Sequence, residues 1–594
     1  MAGVTNGRRE RPLPAANPAL AVETPTGSGE AARESTGVSV SLEALIWLLL
    51  IGLATALRLA RLDHLPLTID ESARSLAAWQ TSQGNTPDNW LGDLTSSLTA
   101  YLFSIFGADD FAARLVPALA GVALVALLWP LSRYVGGAAL GAAGFITFSP
   151  LLVHVSRSSL PYSVGTLLSL VMVLAFFAYL RDRRPFFLFL FILSLGLALG
   201  SDPISTSTAI ILVAFLVYET AWRRNEQMLD ALGFIRQNPP LLISSVLFLL
   251  GALELGVTHF GTSIDRLSLP GLRQWVDMFE LPRDGLPWHF QPGILIGYEA
   301  PLLLLGGAAY LWLLYRWLAS RGEEISLFQG FLLFWASAAA IIVAITSRHE
   351  ASQLIILLLP LALLAGSWLE RIAAEADLKS FGQAAPYLVP VLLLAAYLAL
   401  ILSNWAQAGK VGPGDEKTTL VLATGGGILL IWVAWNALGR RAAAGSMALA
   451  LVLAIVFLIH GATSVAYGRG SEFLADERLD RQVFQLQRAL AATEAQTPGR
   501  IAVDASFLPT LGWYLRDVRG VVFAPSPPAD AVAILKPAGE AVPPGYRPTE
   551  RIWPVAKGWI PSSIDPLAWW RWLVYRKPYG NLSSIEADLL VRGE

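Results

Sequence analysis

The stretch "AARLVPALAGVALVALLWPLS" (112–132) is apolar along almost its whole length and carries one charged residue, Arg114. An α-helix needs about 20 predominantly apolar residues to cross the hydrocarbon core of a bilayer. This run is therefore predicted to be a transmembrane helix. Similar runs lie at residues 43–60, 137–155, 161–180, 185–200, 204–221, 240–258, 293–315, 327–346, 353–370, 386–403, 418–437 and 443–463. The sequence predicts an all-α polytopic membrane domain with about thirteen transmembrane helices.

The composition agrees with a membrane protein. The chain has 594 residues, of which 54% are hydrophobic and 15% are charged. Soluble globular proteins carry about 25% charged residues, so this chain is depleted in the side chains that favour water. The formal net charge of −2 gives no reason to expect a nucleic-acid partner. Because the chain contains no cysteine, disulfide bonds and thiolate metal sites are excluded.

The chain divides into three regions by composition. Residues 1–40 are rich in Pro, Gly, Ser, Thr, Glu and Arg, and they are predicted to form a disordered cytoplasmic tail. Residues 41–463 are predicted to form the transmembrane domain, with an outer loop at 61–111. Residues 464–594 are predicted to form a small extracytoplasmic α/β domain. Its predicted elements are a helix at 471–495 and strands at 499–506, 520–524 and 529–536.

The orientation in the membrane follows from the basic residues, which are enriched in cytoplasmic loops. With the N-terminal tail in the cytoplasm, the inner loops hold Arg133, 181–184, Arg223, Arg224, Arg236, Arg316, Arg321, Arg371, Lys379, Arg440 and Arg441. An odd number of spans then places the C-terminal domain and the active face outside the cell membrane. The aromatic segment "WWRWLVYR" (569–576) suits a membrane interface or a sugar-facing surface.

The first predicted span is followed by "LPLTIDESARSLAAWQ" (65–80), which places the adjacent acids Asp70 and Glu71 close to the membrane surface. Thr68 and Glu71 have the spacing of a capping box, in which each side chain bonds the backbone amide of the other residue. Glu71→Gln is therefore expected to keep the reciprocal hydrogen bond and to leave folding largely intact. For Asp70, the local pattern offers only the general preference for acids in a first helical turn.

Several segments after the acid pair resemble a known family. They are "FSIFGADDFAARLVPALAGVALVALLWPLSRYVGG" (103–137), "FSPLLVHVSRSSLPYS" (148–163), "GWYLRD" (512–517) and the aromatic segment at 569–576. Their order and spacing resemble the polyprenyl-phosphate-dependent membrane glycosyltransferases of the GT-C superfamily. The branch that they resemble is the glycosyltransferase-39, protein O-mannosyltransferase-like and flippase-associated one. The resemblance is strongest over residues 45–200.

This resemblance implies transfer of a hexose or pentose, with inversion, from a polyprenyl-phosphate donor to a hydroxyl at the outer face of the lipid bilayer. The acceptor would be a protein, a glycolipid or a polymer. Asp70 would be the general base. Substrate-binding residues would be Glu71, Arg74, Arg157, Tyr162, Arg348, His349 and Glu350. No metal or other cofactor is expected, because no helical zinc motif is present and the lipid-linked sugar is a substrate.

Several of these residues have a second interpretation. Arg157 and Arg348 lie at predicted outer ends of spans, where they would bind a lipid phosphate through bidentate hydrogen bonds or anchor the chain to lipid headgroups. His349 and Glu350 would alternatively cap the next span. The alternative function is a lipid-linked-sugar flippase or a non-catalytic protein associated with one. A transporter is expected to have repeat symmetry and midplane charges, whereas this chain has its polar residues at one predicted surface.

Overall fold

The computed structural model describes residues 41–263, 268–280, 289–320, 322, 324–347, 349–375, 378–438, 440–468, 472, 474, 477–560, 565–579 and 581–593. The tail predicted at 1–40 lies outside the described residues. Within them the chain is mostly helical, and residues 46–594 form one compact unit.

The helices are α1 (Leu42–Leu59), α2 (Ile69–Ser82), α3 (Leu94–Phe106), α4 (Asp110–Val135), α5 (Ala138–Phe148), α6 (Pro150–Ser156), α7 (Tyr162–Asp182), α8 (Pro185–Ser201), α9 (Pro203–Val217), α10 (Glu226–Gln237), α11 (Pro239–Val257), α12 (Pro270–Asp277), α13 (Phe290–Tyr298), α14 (Ala300–Ala319), α15 (Leu327–Ile345), α16 (Ile355–Glu375), α17 (Leu378–Ala408), α18 (Gly414–Leu438), α19 (Arg440–Tyr467), α20 (Val483–Gln496), α21 (Leu508–Leu515) and α22 (Pro566–Tyr575). A π-helical turn follows α9 at Tyr218–Trp222, and 3-10 turns lie at His259–Gly261, Ala351–Leu354 and Ala505–Phe507.

Nine helices in the described part of the chain are long and apolar enough to cross a membrane. They are α1, α4, α7, α11, α14, α15 and the segments Pro203–Trp222, Ala351–Ala374 and Val389–Ala408. The prediction of a polytopic helical protein is confirmed, whereas the count of thirteen spans is not. The run predicted as one span at 137–155 consists of α5 and α6, which are bent by 65°. The bend occurs because Ser149 caps a new helix whose first residue is Pro150.

A six-stranded mixed sheet forms the core of the C-terminal region. The strands are β1 (Glu477–Leu479), β2 (Arg500–Asp504), β3 (Val521–Ala524), β4 (Ala531–Pro537), β5 (Tyr546–Ile560) and β6 (Asn581–Arg592). Their order is β1-β5-β6-β4-β2-β3, with β2 parallel to β3 and β4 and the remaining pairs antiparallel. The predicted α/β character of this region is confirmed.

The helix predicted over 471–495 is wrong in its first part. Residues Glu477–Leu479 form β1, which pairs with β5, and α20 begins only at Val483. The second edge of β1 contacts the connection between α1 and α2, since the Leu479 amide donates to the Leu67 carbonyl at 3.3 Å. These partners are distant in sequence, so the helical spacing of the local residues is overridden by tertiary pairing.

The C-terminal region also packs on α2, the helix that carries the acid pair, through the "GWYLRD" segment. The Tyr514 hydroxyl accepts a hydrogen bond from the Leu67 amide at 2.9 Å and donates to Asp110 Oδ2 at 2.8 Å. Trp513 Nε1 donates to the other carboxylate oxygen of Asp110 at 2.7 Å. The same two aromatic residues therefore hold the loop before α2 and the start of α4.

The aromatic segment at 569–576 forms most of α22, which packs against membrane helices. Trp570 Nε1 donates to Ser403 Oγ at 3.2 Å, and Trp572 is buried with its ring centroid 5.1 Å from that of Tyr298. This packing explains why aromatic residues recur there, and none of the segment's residues lines the two cavities described below.

Candidate active site

The first turn of α2 contains the capping box that the sequence predicts. Thr68 Oγ1 accepts a hydrogen bond from the Glu71 amide at 3.2 Å, and Glu71 Oε2 accepts one from the Thr68 amide at 2.8 Å. This arrangement satisfies backbone donors that a helix start leaves open. It also sets the direction in which the first turn presents its side chains.

Glu71 has a further role that its spacing does not show. Arg114 on α4 donates from Nε to Oε1 and from Nη2 to Oε2, both at 2.9 Å, and the Ser159 amide donates to Oε1 at 2.8 Å. The residue is 1% exposed. Burial alone would raise the pKa of Glu71, but the charge and hydrogen bonds of Arg114 outweigh burial and hold the pKa well below its usual range. Glu71 therefore joins three segments of the fold, and its role in substrate binding stays a prediction.

Arg114 ties the same junction to the chain after α1. Its terminal nitrogens donate at 2.7–3.1 Å to the carbonyl oxygens of Leu62, Leu65 and Pro66. Because this cation has a bidentate carboxylate partner and three carbonyl partners, its hydrogen-bonding capacity is occupied by the protein itself. The pair is part of the scaffold that holds α2.

Asp70, the neighbouring acid, has a contrasting environment. It is exposed, and its carboxylate has no hydrogen-bond or ion-pair partner among the described residues. It lines two adjacent cavities, together with His154, Leu160 and Leu474. Of the two acids, Asp70 is therefore the one whose carboxylate is free to accept a proton or a hydrogen bond from a bound molecule.

Cavity 1 is a polar space of about 430 Å³. Its polar and aromatic lining residues include Asp70, Arg74, Asn89, Trp90, Tyr162, Gln274, Asp277, Glu350 and Gln353. Hydroxyl, amide and carboxylate groups beside an indole ring are the groups that bind a sugar or another polyhydroxylated molecule. Arg74 is held there by a 2.8 Å ion pair with the buried Asp93.

Cavity 2 has a volume of about 330 Å³ and a different charge. Its charged lining consists of Arg114, Arg157 and Arg478 against Asp70 and Glu71, with His64 and His154 beside them. Three arginines against two acids, one of which is already paired, make this a cationic cavity. Apolar residues at the end of α19, Val465 and Ala466, complete its wall. The arrangement suits a phosphate that carries an apolar chain.

Arg157 reaches cavity 2 as the sequence predicts, but its terminal nitrogens are engaged. They donate at 2.9–3.2 Å to the carbonyl oxygens of Leu57, Arg58, Ala60 and Arg61, which end α1. Its guanidinium carbon also lies 5.4 Å from the ring centroid of Tyr467. Arg157 therefore caps the first span, and its role toward a phosphate stays a prediction.

The remaining predicted substrate-binding residues divide into three groups. Arg74, Tyr162 and Glu350 come together with Asp70 in the lining of cavity 1. His349 lines neither cavity and adopts a left-handed backbone conformation with φ of 53°. Arg348 lies outside the described residues.

Arg478 is not among the site residues predicted from the sequence, and it lies in cavity 2 although it comes far later in the chain than the acid pair. No local motif marks this residue, because its place depends on the pairing of β1. Burial, followed by the neighbouring charge of Arg114, lowers the pKa of Arg478 to about 10. In the described part of the chain, no three His, Cys, Asp or Glu side chains come together as a group that could hold a metal ion.

A family model agrees with the resemblance that the sequence indicates. The family model described as dolichyl-phosphate-mannose-protein mannosyltransferase matches residues 94–235. This match confirms the similarity to the protein mannosyltransferase branch over that part of the chain. No curated protein matches the chain.

Solved structures also match the chain at low sequence identity. The oligosaccharyltransferase of Archaeoglobus fulgidus is 14% identical with a TM-score of 0.47, covering 82% of this chain and 65% of its own. The present chain thus spans about 65% of the length of that protein. ArnT from Cupriavidus metallidurans, bound to undecaprenyl phosphate, is 15% identical with a TM-score of 0.47, and the match covers 82% of this chain and 87% of ArnT. The arabinosyltransferase EmbB from Mycobacterium smegmatis is 13% identical with a TM-score of 0.40, and the match covers 73% of this chain and 41% of EmbB.

Proposed function

We propose that this protein is a membrane glycosyltransferase that moves a hexose or pentose from a polyprenyl-phosphate donor to a hydroxyl acceptor, with inversion. The observation that carries the proposal is the position of Asp70. Its exposed carboxylate borders both a polar cavity and a cationic cavity. The match to a mannosyltransferase family model over residues 94–235 supports the same reaction class.

The two cavities suit the two ends of such a donor. The cationic cavity 2 favours the phosphate, because arginine binds phosphate oxygens through directed hydrogen bonds. Cavity 1, with Tyr162, Trp90 and several polar side chains, favours the sugar and the acceptor hydroxyl. The anomeric carbon would then lie near the junction of the cavities, where Asp70 stands.

In the proposed reaction, the acceptor oxygen attacks the anomeric carbon while the bond from that carbon to the phosphate oxygen breaks. The acceptor proton moves to the carboxylate of Asp70, and the electron pair of the broken bond leaves with the phosphate. A single displacement of this kind inverts the anomeric configuration. General base catalysis contributes about 10²–10⁴-fold to such a step.

The proposal also assigns the regions of the chain. Residues 41–463 form the catalytic membrane domain, and residues 464–594 form an extracytoplasmic domain beside the active face of the cell membrane. The acceptor is a protein, a glycolipid or a polymer. A flippase is not favoured, because the described cavities are bordered by helix ends and connections such as the end of α1, the start of α4 and the turn between α6 and α7.

The test is sugar transfer by the purified full-length protein, with a panel of polyprenyl-phosphate sugars as donors and membrane extract as the acceptor source. Asp70→Asn should slow transfer by about 10²–10⁴-fold while leaving the melting temperature unchanged, because an amide does not accept the acceptor proton. Asp63→Asn is the matched control, since Asp63 is also exposed and lines neither cavity. Normal turnover by Asp70→Asn would overturn the general-base assignment, and no transfer by the wild-type protein from any donor would overturn the proposed function.

A further inference from the structure

Strand β1 is short, and both of its edges are paired. On one side Arg478 is opposite Lys557 of β5, and on the other side it forms a β-bridge with Thr68. Thr68 is the N-cap of α2, two residues before Asp70. The backbone pairing therefore places Arg478 next to the proposed catalytic turn, although it belongs to the C-terminal region.

The three arginines of cavity 2 differ in what they bind within the protein. Arg114 is neutralised by the bidentate carboxylate of Glu71. The terminal nitrogens of Arg157 donate to backbone carbonyl oxygens. For Arg478, the Nε atom is buried without a hydrogen-bond partner among the described residues, and no ion pair neutralises its guanidinium there.

An unpaired cation in this position is unfavourable without a ligand. Burial lowers the pKa of Arg478 most, and the like charge of Arg114 lowers it further, whereas the carboxylates of Glu71 and Glu472 raise it and offset part of this effect. Arg157 adds another positive charge to the same cavity. A buried charge is stabilised when an opposite charge and hydrogen bonds satisfy it. An anion with several acceptor oxygens that fits in cavity 2 beside Asp70 would supply both the opposite charge and the hydrogen bonds.

We infer that Arg478 of the C-terminal region binds the phosphate of the lipid-linked donor and stabilises that phosphate as it leaves. This inference rests on the proposed function and extends the donor site beyond the membrane domain. A sugar-linked lipid phosphate is a diester with one negative charge, whereas the released lipid phosphate is a monoester that gains a second. Arg478 therefore interacts more strongly with the departing phosphate than with the bound donor, which is the condition for lowering the barrier.

The inference is tested by measuring how a polyprenyl phosphate, the product, binds to the full-length protein in lipid nanodiscs. Arg478→Gln should weaken this binding about ten- to a hundredfold, the range expected for a hydrogen-bonded charge pair. Arg478→Lys should be intermediate, because it keeps the charge and loses the planar fork. Arg488→Gln is the matched control, since Arg488 is exposed on α20 and lines neither cavity.

A second arm uses inorganic phosphate alone, which separates a lipid-linked phosphate from the free anion. We expect inorganic phosphate to compete only at concentrations far above those of the polyprenyl phosphate, because it lacks the apolar chain. Arg478-dependent binding of inorganic phosphate together with Arg478-independent binding of the lipid would overturn the inference. A merely structural role is excluded if the Lys variant melts like the Gln variant and yet binds the lipid more tightly.

The outcomes separate this inference from the function on which it rests. If Arg478→Gln binds polyprenyl phosphate as tightly as the wild-type protein, Arg478 is not the phosphate ligand, while the transfer assay with Asp70→Asn still stands. If the wild-type protein binds no polyprenyl phosphate, the inference about Arg478 fails, while the transfer assay still decides the proposed function. If Arg478→Gln does not fold, Arg478→Lys is measured instead. The inference is overturned if this variant binds polyprenyl phosphate as tightly as the wild-type protein and if polyprenyl phosphate inhibits its transfer reaction equally.

Discussion

Replacing Glu71 by Gln tests how the first turn of α2 is held. The carboxylate accepts four hydrogen bonds, two from Arg114 and one each from the amides of Thr68 and Ser159. A glutamine side chain keeps one acceptor oxygen and replaces the other by an NH₂ group, which then faces N–H donors. The substitution also leaves the buried Arg114 without its counter-charge.

The magnitude follows from burial. Breaking a buried ion pair by removing one partner costs about 3–5 kcal/mol, whereas losing a helix cap costs about 0.5–2 kcal/mol. Because the glutamine retains part of the capping box, the unpaired Arg114 dominates. We expect Glu71→Gln to lower the free energy of unfolding by about 3–5 kcal/mol. The expectation from spacing alone is different, since it predicts that folding stays largely intact, and the measurement distinguishes the two.

The assay is chemical denaturation of the purified protein in detergent micelles, compared with Asp70→Asn. The exposed Asp70 has no partner among the described residues, so its substitution should change the unfolding free energy by less than about 0.5 kcal/mol. Arg114→Gln and the double variant complete a mutant cycle, in which the double variant should lose less than the sum of the single losses. A loss for Glu71→Gln as small as that for Asp70→Asn would refute the reasoning.

The same ion pair makes stability depend on pH. The folded-state pKa of Glu71 lies below its unfolded value, so the folded protein binds fewer protons at this site. The stabilisation is fully present above the unfolded value of about 4.3 and is lost as the pH falls toward the folded value. Acidification below about pH 4 should therefore destabilise the wild-type protein more steeply than Glu71→Gln. Equal slopes for the two proteins would contradict the prediction.

Two further substitutions probe the scaffold around the site. Tyr514→Phe removes the hydroxyl that accepts from the Leu67 amide and donates to Asp110, and thermal unfolding should show a loss of about 1–3 kcal/mol; a melting temperature equal to that of the wild-type protein would contradict this. Gly165→Ala adds a Cβ that would lie 1.9 Å from the buried carboxylate of Asp202, so it should lower the melting temperature by an amount equivalent to about 1–3 kcal/mol. Gly144→Ala is its control, because an added Cβ there meets nothing within 4 Å, and a similar loss for both variants would remove the steric explanation.

The distance along the sequence between interacting residues explains which predictions succeeded. Membrane-spanning helices and the capping box at Thr68 and Glu71 depend on residues within one helix, since hydropathy and backbone hydrogen bonding act along the local chain. The break at Ser149 was missed because a single apolar run does not show where a serine and a proline start a new helix. The predicted helix over 471–495 failed at β1 because strand partners outside the segment determine its conformation.

Local patterns in the sequence are enough to predict apolar helices of membrane-spanning length, an acid pair at the start of an amphipathic helix, and a C-terminal region of mixed helix and strand. The different surroundings of the two acids depend on contacts between segments that are distant in the sequence. Glu71 became a scaffold residue because Arg114, 43 positions away, is packed against it. Asp70 faces two cavities, and Arg478 lies beside it because β1 pairs with the chain next to α2. Burial and counter-charges are set by residues that meet only on folding, so adjacent acids of the same chemistry acquire different roles.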